Sequence, residues 1–269
     1  MTDASHHAHT DAAGVPLSLI TLAVLLAVYL VAVWRQWRRG RHWSAWCTAS
    51  WVGGLALLGL AEAPSLAAHA QHDLQAHMLQ HLLIGMLAPL GLVLAAPVRL
   101  LLATLPVTGA RRVARLLRSR LIGWLSHPAL ALVLNVGGMY LLYLTPLFAL
   151  STRHSALHVI VLAHFLAAGY LFTWAVAGPD PAPHRSSWRV RLVLLFVSIA
   201  THATLAKLMF AYGWPRGTAF APAELQAAAQ LMYYGGDLAE LLLAVALFAQ
   251  WYRGNARNQR HRETRPRVG

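Results

Sequence analysis

One uninterrupted apolar stretch decides the fold class of this chain. Residues 77–102 read HMLQHLLIGMLAPLGLVLAAPVRLLL, and Arg99 is the only Lys, Arg, Asp or Glu among these 26 residues. A helix of about 20 apolar residues is long enough to cross the hydrocarbon core of a membrane. The stretch therefore predicts a transmembrane helix. Because proline lacks an amide donor, Pro89 and Pro97 predict that this helix is kinked or ends early near Pro97.

The composition of the whole chain agrees with a membrane protein. Of the 269 residues, 58 % are hydrophobic and 12 % are charged, whereas soluble domains carry about 25 % charged residues. The net charge of +13 comes from short arginine clusters between apolar runs. Nucleic-acid binding would require a continuous basic stripe, so it is excluded. Cys47 is the only cysteine, which excludes an intrachain disulfide or a CxxC metal site.

Six further apolar runs accompany this stretch, and together they predict an all-α, seven-transmembrane-helix bundle. In chain order, the runs cover residues 15–34, 44–61, 77–102, 128–150, 154–178, 189–212 and 227–252. We expect a polar, histidine-containing outer leader over residues 1–14 and a single transmembrane domain over 15–252. A basic cytoplasmic tail follows over 253–269.

The arginines predict the orientation of the bundle. If the N-terminus lies outside, 19 of the 21 arginines fall in or beside cytoplasmic segments, and only Arg153 and Arg216 fall outside. Cytoplasmic loops of membrane proteins carry an excess of Lys and Arg. The sequence therefore predicts an N-out, C-in topology.

Histidines at the outer ends of the third and fifth runs form a predicted metal site. His77 and His81 are four residues apart, and His154 and His158 repeat this spacing. Residues four apart share one face of a helix, so each pair could chelate one ion. Imidazole suits copper and zinc, and Met78 would add a soft ligand that favours Cu(I). The alternative is that these histidines cap interfacial helix ends and bind water.

Further polar residues support this predicted site. In one continuous helix His69, Asp73, His77 and His81 would share a face, because each follows the last by four residues. Gln230 belongs to a polar stripe of the seventh run that we expect to face protein rather than lipid. The supporting residues are His69, His72, Asp73, Gln80 and Gln230.

Ionisable residues deeper in the runs form a predicted central polar network. Such groups are costly inside a membrane unless they are paired or face water. Asp237 and Glu240 are the only acidic residues at the centre of any run, and we expect His164, His202 and Lys207 to be their partners. The network would act either as a structural ion-pair network or as a relay for protons or metal ions.

The third run also carries a family resemblance. The segment HMLQHLL over residues 77–83, with the later pairs Ala88-Pro89 and Ala96-Pro97, resembles the polytopic CtaG family of cytochrome c oxidase assembly factors. The resemblance extends from the first run to about Tyr252. Other matching positions are His158, His164, Gly169, Phe172, Trp174, Gln230, Gly235 and Gly236. It implies functional roles for His77, His81, His158 and His164.

The resemblance implies a non-enzymatic role in the maturation of a haem-copper oxidase in the bacterial plasma membrane. Copper is the expected metal, ahead of haem, and oxidase subunits and membrane lipids are the expected partners. Self-association into a homo-oligomer stays open. Two alternatives remain: a b-type haem protein with axial histidines, and a proton-coupled transporter that uses Lys207, Asp237 and Glu240 as a relay.

Overall fold

The fold is entirely helical over the described part of the chain. The structure, a computed structural model, describes residues 4–125, 127–181 and 185–263, and for 4–16 and 257–263 it describes the backbone alone. These residues form thirteen α-helices and one π-helical turn, and no strand lies among them. The predicted all-α class is confirmed.

Long helices follow most of the predicted runs, and short helices connect them. In chain order they are α1 (Ala4–Arg38), α2 (Ala45–Ala61), α3 (Pro64–His69), α4 (Leu74–Leu82), α5 (Ala88–Leu94), α6 (Pro97–Thr104), α7 (Val107–Leu117), α8 (Arg120–Leu125), α9 (Pro128–Leu144), α10 (Leu147–Arg153), α11 (Ser155–Ala177), α12 (Trp188–Tyr212) and α13 (Pro222–Glu263). The π-helical turn Leu83–Leu87 joins α4 to α5.

Five helical segments are long and apolar enough to cross a membrane. They are Leu17–Arg38 in α1, Leu74–Thr104 from α4 through α6, α11, α12 and Pro222–Ala256 in α13. The bent pair α9 and α10 raises the number to six if it counts as one span. Helix α2 is apolar but has only 17 residues. The described residues thus support five or six spans, and the count of seven and the orientation stay predictions.

The third run is interrupted twice, as its prolines predict. Helix α4 gives way to the π turn at Leu83, and α5 carries Pro89 in its first turn. Because Pro89 has no N–H, the wider π turn accommodates the missing hydrogen bond. Helix α5 ends at Leu94, and Ala96 adopts a left-handed backbone with φ 53° before Pro97 starts α6.

The fourth run, residues 128–150, is not one straight helix, so that part of the prediction is wrong. Helices α9 and α10 differ in direction by 80°. Pro146 lies between them, and Thr145 has an extended backbone with ψ 173°, because a residue before proline is pushed out of the helical region. The bend brings Phe148 of α10 into the core, where it is 1 % exposed.

Both ends of the described chain are helical beyond the predicted domain boundaries. Helix α1 begins at Ala4, inside the predicted leader 1–14, and α13 continues to Glu263, inside the predicted tail 253–269. The remainder of each segment lies outside the described residues. The division into leader, bundle and tail therefore stays a prediction.

Close glycine contacts on two sides fix the third run inside the bundle. A Cβ on Gly169 of α11 would overlap the carbonyl oxygen of Gly85 in the π turn. On the other side, a Cβ on Gly91 of α5 would lie 2.9 Å from the Cα of Gly54 in α2. Small residues allow such approaches between membrane helices. The main apolar core lies between α4, α9, α11, α12 and α13.

The loop after α11 forms hydrogen bonds with the first turn of α6. The Asp180 carboxylate accepts hydrogen bonds from the backbone amides of Val98 at 3.1 Å and Arg99 at 2.8 Å. Asp180 thus caps a helix that is distant in sequence. Burial raises the pKa of Asp180, and the two amide hydrogen bonds oppose that shift. Arg185 donates to the Asp180 carbonyl oxygen at 2.7 Å, which holds the loop in place.

Candidate functional site

His77 and His81 lie one turn apart on the buried face of α4. Their side chains are 2 % and 3 % exposed. Asp73 starts this helix, because its carboxylate accepts a hydrogen bond from the Gln75 amide at 2.7 Å. The four-residue spacing then directs both imidazoles toward α11, α12 and α13 instead of toward lipid.

His77, the first residue of this pair, lies close to a histidine of α11. The ring centroids of His77 and His158 are 6.3 Å apart, and His158 is half-buried. Phe148 packs edge-on against His77 at 4.8 Å, and Tyr143 does so at 6.3 Å. One member of each predicted HxxxH pair therefore lies at the same place in the bundle.

His81, the second residue of the pair, lies beside a histidine of α12. The Phe165 ring packs edge-on against His81 at 4.5 Å, and His81 interacts electrostatically with both His77 and His202. His202 is fully buried. A Cβ at position 236 of α13 would overlap its ring, so Gly236 is what makes room for it. We call His77, His81, His158 and His202 the histidine cluster.

Buried nitrogens of the histidine cluster lack hydrogen-bond partners within the described structure. They are Nδ1 of His77 and both ring nitrogens of His81 and His202. A buried donor or acceptor left unsatisfied costs about 1–3 kcal/mol. Natural proteins keep few such groups, and those that persist usually serve a redox or catalytic role or hold a water or ion. The histidine cluster is therefore the strongest candidate for a ligand-binding site.

The donor chemistry of the histidine cluster fits copper or zinc. A neutral imidazole carries one N–H and one acceptor nitrogen, and that acceptor suits these two metals. The ligands are arranged in pairs rather than in a closed shell. Within residues 17–125, 127–181 and 185–256, whose side chains the structure describes, no group of three or more His, Cys, Asp or Glu side chains could hold one metal ion.

Two predicted ligands lie apart from the histidine cluster. His154 is the exposed N-cap residue of α11, one residue before the helix starts. Met78 is fully buried in the main apolar core. Consecutive helical residues project about 100° apart, so Met78 does not share the face of His77.

The predicted continuous stripe from His69 to His81 is wrong. His69 ends α3, is exposed, and its Nδ1 lies 2.6 Å from the Ser65 carbonyl oxygen. The chain then turns through residues 70–73, where His72 is also exposed. The Asp73 side chain bonds to the amides that follow it, which ends helical continuity there.

Gln80 supports the site by anchoring α4 to α2. It is 2 % exposed, and its Nε2 donates to the Ala61 carbonyl oxygen at 2.9 Å. This carbonyl lies at the C-terminal end of α2, where helix carbonyls lack intrahelical partners. The bond thus anchors α4 to the C-terminal end of α2.

Glu240 forms a second buried polar site on α13, one helical turn after Gly236. Ser198 Oγ donates to Glu240 Oε1 at 3.1 Å, and Oε2 is buried without a partner in the described structure. A cavity of about 20 Å³ lies beside them and is also lined by Asn135 and Gly85. A polar cavity needs about 10–15 Å³ to hold a water molecule. This site is therefore large enough for one water.

Two predicted partners of Glu240, Lys207 and His164, are wrong, and the third, His202, lies one turn from Ser198 on α12. Lys207 is exposed, with its ammonium 5.5 Å from the Tyr233 ring, and His164 Nε2 lies 3.1 Å from the Leu134 carbonyl oxygen. Ser198 and His202 are one turn apart and both face α13. Five residues beyond His202, the helix has rotated by about 140°, so Lys207 faces outward.

Only the C-terminal end of the predicted polar stripe on α13, at Asp237 and Glu240, reaches the interior of the bundle. Gln230 is exposed, so its expected burial against protein is wrong. Asp237 is half-buried and interacts electrostatically with Glu240. Sequence reasoning missed the roles of Ser198, Gly236 and the aromatic rings around the histidines. Their only signal is a polar or small residue within an apolar run.

Comparison with known proteins identifies the family. The sequence model of the cytochrome c oxidase caa3 assembly factor family (Caa3_CtaG) matches residues 27–254. The chain belongs to the caa3 oxidase assembly factor family. The matched region contains every histidine of the cluster and all candidate spans except residues 17–26 in α1 and 255–256 in α13, so the resemblance predicted from the third run is confirmed.

Similar proteins occur in mycobacteria. Uncharacterized proteins of Mycobacterium tuberculosis and Mycobacterium bovis are each 33 % identical over 238 residues, covering 82 % of this chain and 36 % of theirs. An uncharacterized protein of Mycobacterium leprae is 29 % identical over 259 residues, covering 87 % of this chain and 38 % of its own. The chain thus spans little more than a third of the length of these relatives. No solved structure matches it.

Proposed function

We propose that this protein is a membrane assembly factor for a haem-copper cytochrome c oxidase and that it handles copper as cargo. Its family membership supports the assembly role. The observation that carries the copper part is the set of buried, unpartnered imidazole nitrogens of His77, His81 and His202 beside His158. The role is a binding role rather than a catalytic one, with oxidase subunits as partners in the bacterial plasma membrane.

The proposal includes seven spans with the N-terminus outside. Helix α2 is included as the second span in chain order, because 17 apolar residues lie at the lower limit for crossing a bilayer. The bent pair α9 and α10 is the fourth. The arginine distribution supports this orientation. His77 and His158 then lie near the outer surface of the membrane.

The histidine pairs suggest a path for the ion. His77 and His158 would bind copper first, because His158 is only half-buried. His81 and His202 lie about one helical turn deeper, roughly 6 Å along α4. Paired imidazoles without a closed ligand shell would hold an ion less tightly than a structural metal site does. Weak binding suits an ion that must be passed to an oxidase subunit.

Metal content is the direct test. The full chain, purified in detergent and loaded with Cu(I) under reducing conditions, should retain copper near one ion per chain. The His77→Ala/His158→Ala double variant should lose it, because both ligands of the pair that would bind copper first are then missing. The matched control is His69→Ala/His127→Ala, which removes two exposed histidines outside the cluster. Equal copper in wild type and the cluster variant would remove the site, and a Soret band would favour the haem alternative.

A proton-coupled transporter is the second candidate, favoured by the Ser198–Glu240 hydrogen bond beside a water-sized cavity. Such a carboxyl group could accept and release a proton. Proton uptake into liposomes containing the protein should then fall in Glu240→Gln. Glu224→Gln changes an exposed glutamate at the start of α13 and should leave uptake unchanged. No uptake by the wild type would exclude this function.

A further inference from the structure

An open pocket lies on the arginine-rich side of the molecule, at the opposite end of α4–α6 from the histidine cluster. Its volume is about 530 Å³. The loop after α1 contributes Arg39 and Arg41, and α7 contributes Arg111 and Ala110. Leu105 and Val107 contribute apolar wall between α6 and α7. The pocket thus combines three guanidinium groups with an apolar wall.

The positive charge of this pocket has no acidic partner nearby in the sequence. Residues 35–45 and 97–127 contain no Asp or Glu. Arg39 is held at the C-terminal end of α6, where it donates to the carbonyl oxygens of Ala103 and Thr104 at 3.3 Å. A guanidinium has five N–H donors, so further donors of Arg39 stay available to a ligand. The pocket therefore has the charge and the free donors to bind an anion.

The pocket lies at the level of the lipid headgroups. The candidate membrane spans that border it end at Arg38 and Thr104. Arg39 and Arg41 follow directly after the first of these ends, and Arg111 lies seven residues beyond the second. Trp34 and Trp37, 52 % and 61 % exposed, lie in the last two turns of α1, and tryptophan is enriched at the membrane interface.

Helix α7 has the character of a helix that lies in the membrane surface. Its three arginines, Arg111, Arg112 and Arg115, occupy one face, and its aliphatic residues occupy the other. No residue of α7 is buried within the described structure, and Val107 and Leu116 are 66 % and 62 % exposed. An amphipathic helix with a basic face and an uncovered apolar face binds at the interface of anionic membranes.

We propose that this pocket binds the headgroup of one anionic phospholipid. Arg39, Arg41 and Arg111 would contact the phosphate, since guanidinium forks match phosphate oxygens. The acyl chains would lie along the apolar surfaces of α6 and α7. Basic pockets at the ends of transmembrane helices recognise anionic lipids in this way. This site is independent of copper binding, and it does not rest on the proposed function.

Lipid titration of the full chain by native mass spectrometry tests the proposal. Phosphatidylglycerol should bind as one tight equivalent to the delipidated protein in detergent, and phosphatidylcholine should not. Each arginine near an anionic surface contributes about fivefold in affinity, so Arg41→Gln/Arg111→Gln should weaken this binding by roughly 25-fold. The matched control Arg112→Gln/Arg115→Gln removes the same amount of charge, both from α7, at positions that do not line the pocket, and should change affinity less than about fivefold in total.

A second variant separates the shape of the pocket from its charge. Ala110→Phe fills the cavity without altering any charge, so it should also abolish the tight equivalent while the melting temperature stays near that of wild type. Equal loss of affinity in the pocket and control pairs would overturn the proposal in favour of diffuse surface attraction. Displacement of the lipid by inorganic phosphate at millimolar concentration would overturn it too, in favour of a soluble phosphate ligand.

Discussion

The imidazole of His202 occupies the space that a side chain at position 236 would need. A Cβ added to Gly236 would overlap Cε1 of His202. This relationship couples the helix crossing of α12 and α13 to the position of a fully buried histidine with no hydrogen-bond partner in the described structure. Gly236 is therefore a packing residue for the histidine cluster.

Gly236→Ala should displace the His202 ring and separate α12 from α13. Overpacking of this kind costs about 1–3 kcal/mol, so we expect a lower melting temperature in detergent and a loss of copper retention. Gly53→Ala is the matched control, because a Cβ at Gly53 in α2 meets no atom within 4 Å. It should be neutral or slightly stabilising. A Gly236→Ala protein as stable and as copper-loaded as wild type would contradict the coupling.

Replacing His81 by leucine should remove copper binding without destabilising the fold. Both ring nitrogens of His81 are buried without partners, and removal of such groups in favour of an apolar side chain is neutral or stabilising. Thermal unfolding in detergent should give a melting temperature equal to or above that of wild type. A fall of several degrees in the melting temperature would instead assign His81 a structural role. Normal copper content would exclude His81 from the copper site.

Ser198→Ala should leave the Glu240 carboxyl group without its hydrogen-bond partner. We expect unfolding to become easier by about 1–3 kcal/mol, since Glu240 is 2 % exposed. Thr204→Ala is the control, because Thr204 lies on the same helix, is exposed, and bonds only to its own helix at Ala200. Similar melting temperatures for the two variants would mean that another group satisfies Glu240.

Asp180→Ala should loosen the start of α6 without affecting the histidine cluster. The variant leaves the amides of Val98 and Arg99 without their acceptor, and loss of a cap costs about 0.5–2 kcal/mol. Asp180→Asn keeps one acceptor oxygen, so its melting temperature should lie between those of Asp180→Ala and wild type. Copper retention should equal that of wild type in both variants, and a loss of copper would contradict the separation of the two ends.

Residue types and spacing predicted much of the candidate site. The four-residue spacing of His77 and His81 in α4 implied a shared face, and the structure buries both. The same reasoning extended the stripe back to His69 and failed, because Asp73 caps a new helix and interrupts the old one. Periodicity assumes an unbroken helix, and a capping side chain is a local competitor that spacing does not detect.

Long-range partners could not be predicted in the same way. Attraction between opposite charges suggested Lys207 for Glu240, whereas the structure pairs Glu240 with Ser198. Which face of α12 meets α13 depends on the close contact at Gly236. That contact fixes the rotation of both helices about their axes, and the rotation leaves Lys207 exposed.

The sequence by itself determined the helical class, the presence of several segments long and apolar enough to cross a membrane, the break near Pro97 and the family. These properties follow from local composition, since a membrane requires its spanning segments to satisfy their own backbone hydrogen bonds. Only the tertiary structure decided that His77 lies close to His158, that His81 lies beside His202, and that three arginines from two distant segments line one pocket. Contacts between helices depend on crossing geometry and rotation, which side chains from many parts of the chain set together.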